Sequence, residues 1–396
     1  MKPVKMALIG SGNISYTYLN TLTRGGFTIA DVVGCSDLIP ERSAARAETF
    51  GIRQMSNEEI LSDPDIEIVL NTTQATSHHE VTKSILEAGK HAYSEKALDT
   101  SFEGAKALYD LAKAKGLRVG AAPDCYMGSA YQTARKLIDD GWIGEPLFAH
   151  AICYRGYNVH ERAGDYPGFG IKGTTIHYDM SGYYINVLIH LLGPVHRVSG
   201  FSRPYADRVY TNPKHPEYKS PVNPGAGATL SMGCLEFHNG TYASVTMTSE
   251  GMGPEIPRVE IFGTKGNLTL SDPNCFGGWG NDIYLTRIGS REPMKIPFTH
   301  GFSDTDPSIP PISGKPYEPC QNSWRGIAVV DMAWAIRRNR PHRSSAELAL
   351  HAVEIAAAID TSGETNTTVT LTTRPERPAP LAPGLMGTSA EASIDT

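Results

Sequence analysis

Short apolar runs alternate with helical patterns from the amino terminus to Ala121. Five buried strands are predicted, at residues 5–9, 30–36, 66–71, 91–94 and 118–121. The segments between them have helical composition, such as residues 102–115. This alternation predicts a parallel, doubly wound α/β sheet.

The pattern changes after Pro123. Helices are predicted at 129–140, 179–192 and 345–360, and a short strand at 368–371. Two-residue periodicity at 228–237, 241–249, 259–262 and 268–270, interrupted by turn residues, predicts antiparallel hairpins. We therefore expect a Rossmann-type domain at residues 1–123 and an α+β domain at 124–373 with a large, mostly antiparallel open sheet. Residues 374–396, rich in Pro, Ala and Ser, are expected to form a loose tail.

Composition narrows the classes of partner. The 396-residue chain has a formal net charge of -6, which gives no electrostatic footprint for nucleic acid or a membrane surface. Its 6 cysteines are scattered without a C-x-x-C pair, so neither a disulfide framework nor a metal site is predicted. The sequence MKPVKMALIGSG runs directly into a strand, and no apolar run is long enough to cross a bilayer. These features predict a cytoplasmic protein.

A glycine-rich loop follows the first predicted strand, in ALIGSGNIS. Gly10 and Gly12 occupy the first two glycine positions of G-x-G-x-x-G, Asn13 and Ile14 follow, and Ser15 occupies the third. The first glycine permits a tight turn, and the second lets backbone N–H groups approach a pyrophosphate at the helix N-terminus. The loop predicts a dinucleotide site.

Asp37 ends the second strand, where an acid can accept hydrogen bonds from both ribose hydroxyls of an adenosine. The same carboxylate would repel a 2′-phosphate, so NAD is favoured over NADP. The alternative interpretation is a turn residue that leads the next helix.

Glu95 and Lys96 end another strand, in AYSEKAL. Open α/β sheets bind ligands at the carboxyl ends of their strands. A lysine there can donate a hydrogen bond to a substrate hydroxyl and lower the pKa of a neighbouring acid. Out of context, the pair would be a solvated surface pair.

The helix in TTIHYDMSGYYINVLIHLLG places Asp179, Tyr183, Asn186 and His190 on one face. The segment contains few charges, so the helix is expected to be buried, and its polar groups then need partners, of which a ligand is one candidate. Asp179 and Tyr183 are roughly 6 Å apart along the axis and could reach one substrate. His190 is interpreted as a core histidine.

Together these motifs resemble the Gfo/Idh/MocA oxidoreductase family over nearly the whole chain. The resemblance rests on GSGNIS, Asp37, LEAGKHAYSEKAL and the Asp179–Tyr183–Asn186 helix ending in LLG. It implies a Rossmann domain and an α+β domain whose open sheet forms homodimers or homotetramers. It also implies a small-molecule substrate such as a sugar, sugar derivative, inositol or diol.

The resemblance assigns roles to loop residues. Glu95 and Lys96 match the family's E-K-P motif, with Lys96 as the catalytic lysine and Ala97 in place of proline. In TTQATSHHEV, His78 matches a cofactor-loop histidine, and Thr73 is assigned to cofactor binding with it.

The helix departs from the family's common D-x-G-x-H-x-x-D pattern, because Tyr183 stands where histidine is usual. Tyrosine there resembles the glucose–fructose oxidoreductase branch, so Tyr183 is the expected acid/base, with Asp179 beside it. A free tyrosine has a pKa of about 10 and is a poor base at neutral pH. The Lys96 ammonium and an oxidised nicotinamide would both favour the phenolate.

The loop before this helix, CYRGYNVHERAGDYPGFGIKGTTIHYD, mixes basic residues with aromatics and glycines. We interpret Arg155, Lys172 and His177, together with Tyr126 and Asn186, as a substrate wall that could accept a carboxylate, sulfonate or phosphate. For any single residue the alternative is a solvated loop.

Two enzymatic hypotheses remain open. The first is net NAD-dependent dehydrogenation or reduction at a sugar hydroxyl carbon, with pyranose carbon 3 as the expected position. The second is a redox-neutral NAD-dependent glycosidase acting on an anionic glycoside, such as a sulfosugar or uronate, in which His177 or Tyr183 serves as the base near carbon 2. A non-enzymatic dinucleotide-binding regulator is disfavoured, because the Lys96 and Tyr183 positions are both filled.

Overall fold

The part of the chain that the computed structural model describes contains two large sheets and a separate two-stranded pair. The structure describes residues 1–154, 174–203, 209–212, 215–221, 228–249, 258–278, 280–304, 324–384, 391 and 394–395, with the backbone alone at 209–212 and 215–221.

The amino-terminal sheet has six parallel strands in the order β3-β2-β1-β4-β5-β6. Its strands are β1 (Val4–Ile9), β2 (Ala30–Ser36), β3 (Arg53–Gln54), β4 (Ile68–Asn71), β5 (His91–Ser94) and β6 (Val119–Ala121). Its helices are α1 (Asn13–Arg24), α2 (Pro40–Phe50), α3 (Asn57–Ser62), α4 (His78–Glu87) and α5 (Phe102–Lys115). The predicted doubly wound sheet is confirmed; β3, two exposed residues without an apolar run, was not predicted.

The strand order reverses beside β1, which pairs with β2 on one side and β4 on the other. In such sheets the crevice outside the carboxyl ends of the strands is the ligand site. The loops after β1, β4, β5 and β6 all open at this edge. The fold therefore brings the glycine loop, Thr73, Lys96 and Asp124 to one edge of the sheet.

Within the described residues, the second large sheet has nine strands in the order β16-β15-β14-β13-β7-β12-β11-β8-β17. Its strands are β7 (Pro146–Tyr154), β8 (Val195–Arg203), β11 (Leu230–Phe237), β12 (Tyr242–Thr248), β13 (Val259–Gly263), β14 (Gly266–Leu270), β15 (Ile283–Arg287), β16 (Met294–Ile296) and β17 (Val369–Thr370). Strands β9 (Val209–Asn212) and β10 (His215–Pro221) form a separate pair. The pairings are antiparallel except between β7 and β12, which confirms a mostly antiparallel sheet.

The helices described in this domain are α6 (Ser129–Asp139), α7 (Ile176–Leu192), α8 (Ile327–Arg338) and α9 (Ala346–Thr365). The inner face of the sheet packs on α7 and α9, and α9 also contacts α5 and β6 of the first domain. Alternate residues of β7, β11 and β12 point into this core. Helix α7 thus lies between the open sheet and the carboxyl edge of the Rossmann sheet. Among the described helices, none combines the length and apolarity that crossing a membrane requires.

The expectation of a loose tail at 374–396 is wrong for the part that the structure describes. Arg135 donates a 3.0 Å hydrogen bond to the carbonyl of Pro378. Ile394 is completely buried in the main hydrophobic core. A composition rich in Pro, Ala and Ser indicates disorder only where the segment has no contacts with the rest of the fold. Here buried arginine side chains donate hydrogen bonds to the backbone carbonyl groups of the segment.

Candidate active site

The glycine loop is shaped by close contact with the loop after β4. Gly10 has φ +99°, and a Cβ there would lie 2.7 Å from the carbonyl carbon of Thr72. The Thr72 hydroxyl donates a 2.5 Å hydrogen bond to the Gly10 carbonyl. At Gly12, by contrast, a Cβ would meet no described atom within 4 Å. The open face at Gly12, directly before α1, fits a pyrophosphate on the first N–H groups of Asn13 and Ile14.

Asp37 is bound to the glycine loop. Its Oδ2 accepts a 2.6 Å hydrogen bond from the Ser11 amide, and its Oδ1 accepts a 2.8 Å hydrogen bond from the Ile39 amide. The side chain is partly exposed, and a carboxylate has about four acceptor positions, so it retains capacity for ribose hydroxyls. Ser15 is buried and donates to the Gly12 carbonyl, so the third glycine position tolerates it.

His78 connects the loops that follow β4 and β5. Its Nδ1 lies 2.7 Å from the Ala97 carbonyl oxygen and its Nε2 lies 3.2 Å from that of Thr73. Burial lowers the pKa of this imidazole. The ring is buried, so within this structure it fixes the two loops that would flank a cofactor.

Glu95 is buried rather than solvated. It accepts a 2.7 Å hydrogen bond from the Tyr18 hydroxyl and a 3.1 Å hydrogen bond from the Lys96 amide. The interpretation of Glu95 and Lys96 as a surface pair is therefore wrong. Glu95 holds the backbone from which the Lys96 side chain extends.

Lys96, Asp179 and Tyr183 come together at the domain boundary. The Lys96 ammonium forms an ion pair with Asp179, and its Nζ lies 5.7 Å from the centroid of the Tyr183 ring. Burial lowers the pKa of Lys96, but Asp179, Tyr183 and Glu95 outweigh burial and raise it. Lys96 is therefore a charged hydrogen-bond donor, as the predicted role requires.

Arg325 also belongs to this cluster, and sequence reasoning missed it. Its Nη1 donates a 2.9 Å hydrogen bond to the Tyr183 hydroxyl oxygen, and its Nη2 donates a 2.6 Å hydrogen bond to Oδ1 of Asn274. It lies 142 residues from Tyr183, at the start of RGIAVVDMAWAIRRNRP. The local pattern of that segment gives no reason to place one arginine beside α7.

The phenol of Tyr183 is less acidic than the sequence argument expected. Burial raises its pKa to about 12, although the charges of Arg325 and Lys96 oppose the rise. The positive neighbours favour the phenolate, but the cost of burying its charge is larger.

The other two polar residues of this face of α7, Asn186 and His190, contact neighbouring parts of the protein. Asn186 is buried, lies 3.5 Å from the Pro123 carbonyl and lines a small cavity beside Lys96. His190 is a buried core histidine whose Nε2 faces the amide of Gln132 at 3.2 Å, which agrees with its interpretation as a core residue.

Two predicted substrate residues face elsewhere. His177 is buried with Nε2 2.7 Å from the Ala356 carbonyl and Nδ1 2.9 Å from the Ser231 hydroxyl, so it joins α7 to α9 and β11. Tyr126 is buried against His190, with ring centroids 5.3 Å apart. In both cases the side chain that was expected in a substrate wall contributes to packing. Arg155 and Lys172 lie outside the described residues.

Comparison with known proteins shows two family models along the chain. The model described as "Oxidoreductase family, NAD-binding Rossmann fold" matches residues 4–122, and the "GFO/IDH/MocA C-terminal domain" matches residues 131–269. An inositol 2-dehydrogenase of Saccharopolyspora erythraea is 32% identical over 44% of this chain and 51% of its own length. The scyllo-inositol 2-dehydrogenase (NAD(+)) of Bacillus subtilis is 26% identical over 67% of this chain and 73% of its own length. The chain thus spans about half the length of several curated relatives that it matches.

A solved levoglucosan dehydrogenase in complex with NADH has a similar fold. The TM-score is 0.76 at 22% identity, and the match covers 94% of this chain and 100% of the other. The two-domain arrangement is therefore shared along essentially the whole length of that protein.

Proposed function

The chain belongs to the Gfo/Idh/MocA family of oxidoreductases and has that family's NAD-binding Rossmann domain, and on this basis we propose that it oxidises or reduces a hydroxyl carbon of a sugar or sugar derivative, at pyranose carbon 3. NAD is the cofactor, and the reaction is a net dehydrogenation or reduction.

One observation carries the proposal: Lys96, Asp179 and Tyr183 converge at the carboxyl edge of the Rossmann sheet. A bound nicotinamide supplies the hydride acceptor or donor. The Lys96 ammonium donates a hydrogen bond to the substrate oxygen, where negative charge develops as the O–H bond breaks. Tyr183 accepts that proton during oxidation and returns it during reduction, and Asp179 fixes the position of Lys96.

Cofactor choice follows from Asp37. Its carboxylate lies at the end of β2 with spare acceptor capacity, which suits ribose hydroxyls and opposes a 2′-phosphate. The next residue is Leu38, which is exposed and carries no charge for a phosphate. Both features support NAD.

The relatives support a polyol or sugar as the substrate class. Two curated relatives are inositol dehydrogenases, and a solved structure of similar fold contains levoglucosan with NADH. These compounds present secondary hydroxyl groups on rings, the chemistry that Lys96 and Tyr183 would serve.

The glycosidase hypothesis needs a second base near carbon 2. His177, one of its two candidates, uses both ring nitrogens in contacts within the second domain. The other candidate, Tyr183, lies beside Lys96, but it already serves as the acceptor of the proton from the substrate hydroxyl. This supports the net oxidoreductase.

We also propose that the chain forms homodimers or homotetramers through the outer face of the nine-stranded sheet. Large apolar side chains are exposed on that face: Phe148, Phe201, Met232 and Tyr242. An apolar sheet face of this kind is typical of a contact between subunits.

The test is incubation with free sugars, inositols and nitrophenyl glycosides, with and without added NAD. We expect NADH to accumulate from a free sugar or polyol and the Lys96→Ala variant to lose this activity. Release of nitrophenol without NADH would favour the glycosidase. Absence of both, or activity unchanged in Lys96→Ala, would overturn the proposed site.

A further inference from the structure

We infer that Arg325 is a positioning residue that holds the phenol oxygen of Tyr183 and stabilises its deprotonated form, so that Tyr183 acts as the proton acceptor. The inference rests on the proposed function for the identity of the reaction. The state of Tyr183 itself can be measured without a substrate.

The contact is direct and buried. Arg325 is 5% exposed, its Nη1 lies 2.9 Å from the Tyr183 oxygen, and its guanidinium carbon lies 5.2 Å from the ring centroid. Hydrogen bonds from Nη2 to the Asn274 carbonyl and side-chain oxygens, at 3.2 Å and 2.6 Å, fix the plane of the guanidinium. A group held from both sides has one position relative to the phenol.

The backbone around Arg325 is fixed as well. The Trp324 indole donates a 2.8 Å hydrogen bond to the Ser303 carbonyl. On the other side, the Asp124 carboxylate accepts hydrogen bonds from the amides of Gly326, at 2.8 Å, and Ala328, at 3.2 Å. Gly326 has φ +104°, a conformation that favours glycine. Arg325 is thus preorganised before α8 begins.

The chemistry of the two groups sets the direction of proton transfer. A guanidinium has five donors, no acceptor and remains charged, so the Tyr183 oxygen must accept this hydrogen bond. The phenol hydrogen then has to point away from Arg325. In oxidation, the substrate O–H bond breaks, a Tyr183 O–H bond forms, and the C–H electron pair leaves with the hydride to the nicotinamide cofactor.

Several other charged or titratable groups surround Tyr183. Lys96 and Glu95 approach from the loop after β5, Cys125 from the turn after β6, and Asp179 from one turn earlier on α7. The Lys96 charge is shared with Asp179 in an ion pair. The guanidinium therefore complements the phenolate more directly, and its charge opposes the rise in the pKa of Tyr183 more strongly than that of Lys96.

The experiment places 3,5-difluorotyrosine at position 183 of the full chain and follows its ionisation by ¹⁹F NMR. The fluorines lower the phenol's pKa into a range where the protein is folded. We expect Arg325→Gln to raise the ionisation midpoint by about one to two pH units, the effect of losing one charge-assisted hydrogen bond. Arg325→Lys keeps the positive charge but loses the planar pair of N–H donors, so it should raise the ionisation midpoint less.

The matched control is Arg291→Gln, which removes the same charge from an exposed turn. An equal midpoint in the Arg325→Gln and parent proteins, or an equal shift in Arg291→Gln, would overturn the inference. If Arg325→Gln does not fold, Asn274→Ala removes the second support of the guanidinium and should raise the midpoint in the same direction. A wild-type protein inactive on every sugar, with the ¹⁹F shift observed, would overturn the proposed function alone.

Discussion

Lys96 and Asp179, which are 83 residues apart in sequence, form an ion pair that joins the end of β5 to the first turn of α7. The pair links the edge of the Rossmann sheet to the helix that carries Tyr183. Because both side chains are largely buried, their relative position is determined by the packing of the two domains.

The first prediction concerns the Lys96 ammonium. Lys96→Met keeps a long unbranched side chain but removes the donor to the developing alkoxide. We expect kcat to fall by about 10²- to 10³-fold. Steady-state kinetics with NAD and the best sugar would measure this, with Lys83→Met, a half-exposed lysine on α4, as the control. A loss below tenfold would exclude Lys96 from the chemical step.

The second prediction concerns proton transfer by Tyr183. Tyr183→Phe preserves the ring beside Lys96 and Arg325 but removes the hydroxyl. The expected loss in kcat for oxidation is about 10²- to 10⁴-fold, and the rise of kcat with increasing pH should flatten, because the group that must lose a proton to act as base is gone. Tyr184→Phe, the neighbouring tyrosine on α7, is the control. Retention of the wild-type pH profile in Tyr183→Phe would assign the proton to another group.

The third prediction concerns cofactor choice. Asp37→Ser removes the carboxylate but keeps a small acceptor. We expect the KM for NAD to rise by about tenfold or more and the preference over NADP to shrink, because one charged hydrogen-bond acceptor is lost and repulsion of the 2′-phosphate ends. Asp31→Ser, near the other end of β2, makes the same change in charge. It should leave the KM for NAD and the preference for NAD over NADP unchanged. An unchanged NAD/NADP ratio in Asp37→Ser would remove Asp37 from the adenosine site.

The fourth prediction concerns stability against pH. Burial raises the pKa of Asp124 to about 6, against the opposing Gly326 and Ala328 amides and the Arg325 charge, from an ordinary value of 3.8. The folded chain therefore binds this proton more tightly than the unfolded chain. The stabilisation of the folded chain by protonated Asp124 is complete below about pH 4 and is lost as pH rises through about 6. The free energy of unfolding then falls by up to about 3 kcal/mol.

Asp124→Asn keeps an acceptor for the two amides and removes the titration. We expect its free energy of unfolding in urea to depend less steeply on pH between 4 and 7 than that of the wild type. Asp304→Asn should behave similarly, because burial also raises the pKa of Asp304 to about 6. If the free energy of unfolding depended on pH equally steeply in the wild type and in Asp124→Asn, the raised pKa of Asp124 would be contradicted.

The fifth prediction concerns the carboxyl-terminal segment. Ile394 is fully buried and Ile288 is 74% exposed, so the same substitution tests two environments. Ile394→Ala should cost about 2 to 5 kcal/mol of unfolding free energy. Ile288→Ala should change it by less than about 0.5 kcal/mol. Equal effects would show that Ile394 contributes little to the core.

Local patterns predicted much of the fold. Predicted segments 30–36, 91–94 and 102–115 coincide with β2, β5 and α5, because an apolar run or a helical period reports burial along one element. Strand β7 was missed although it lies in the middle of the second sheet. Its outward side chains, such as Phe148 and His150, are exposed, so a two-residue alternation is blurred in PLFAHAICY.

The sequence by itself determined the glycine loop, the acid at position 37 and the polar face of α7, because each depends on residues close together in the chain. Only the tertiary structure decided which of those polar groups meet. It turned His177 toward α9, buried Tyr126 and brought Arg325 to Tyr183. Which side chains meet across a domain boundary depends on how whole helices and strands pack. The local periodicity of one segment contains no information about its distance from residues far away in the sequence.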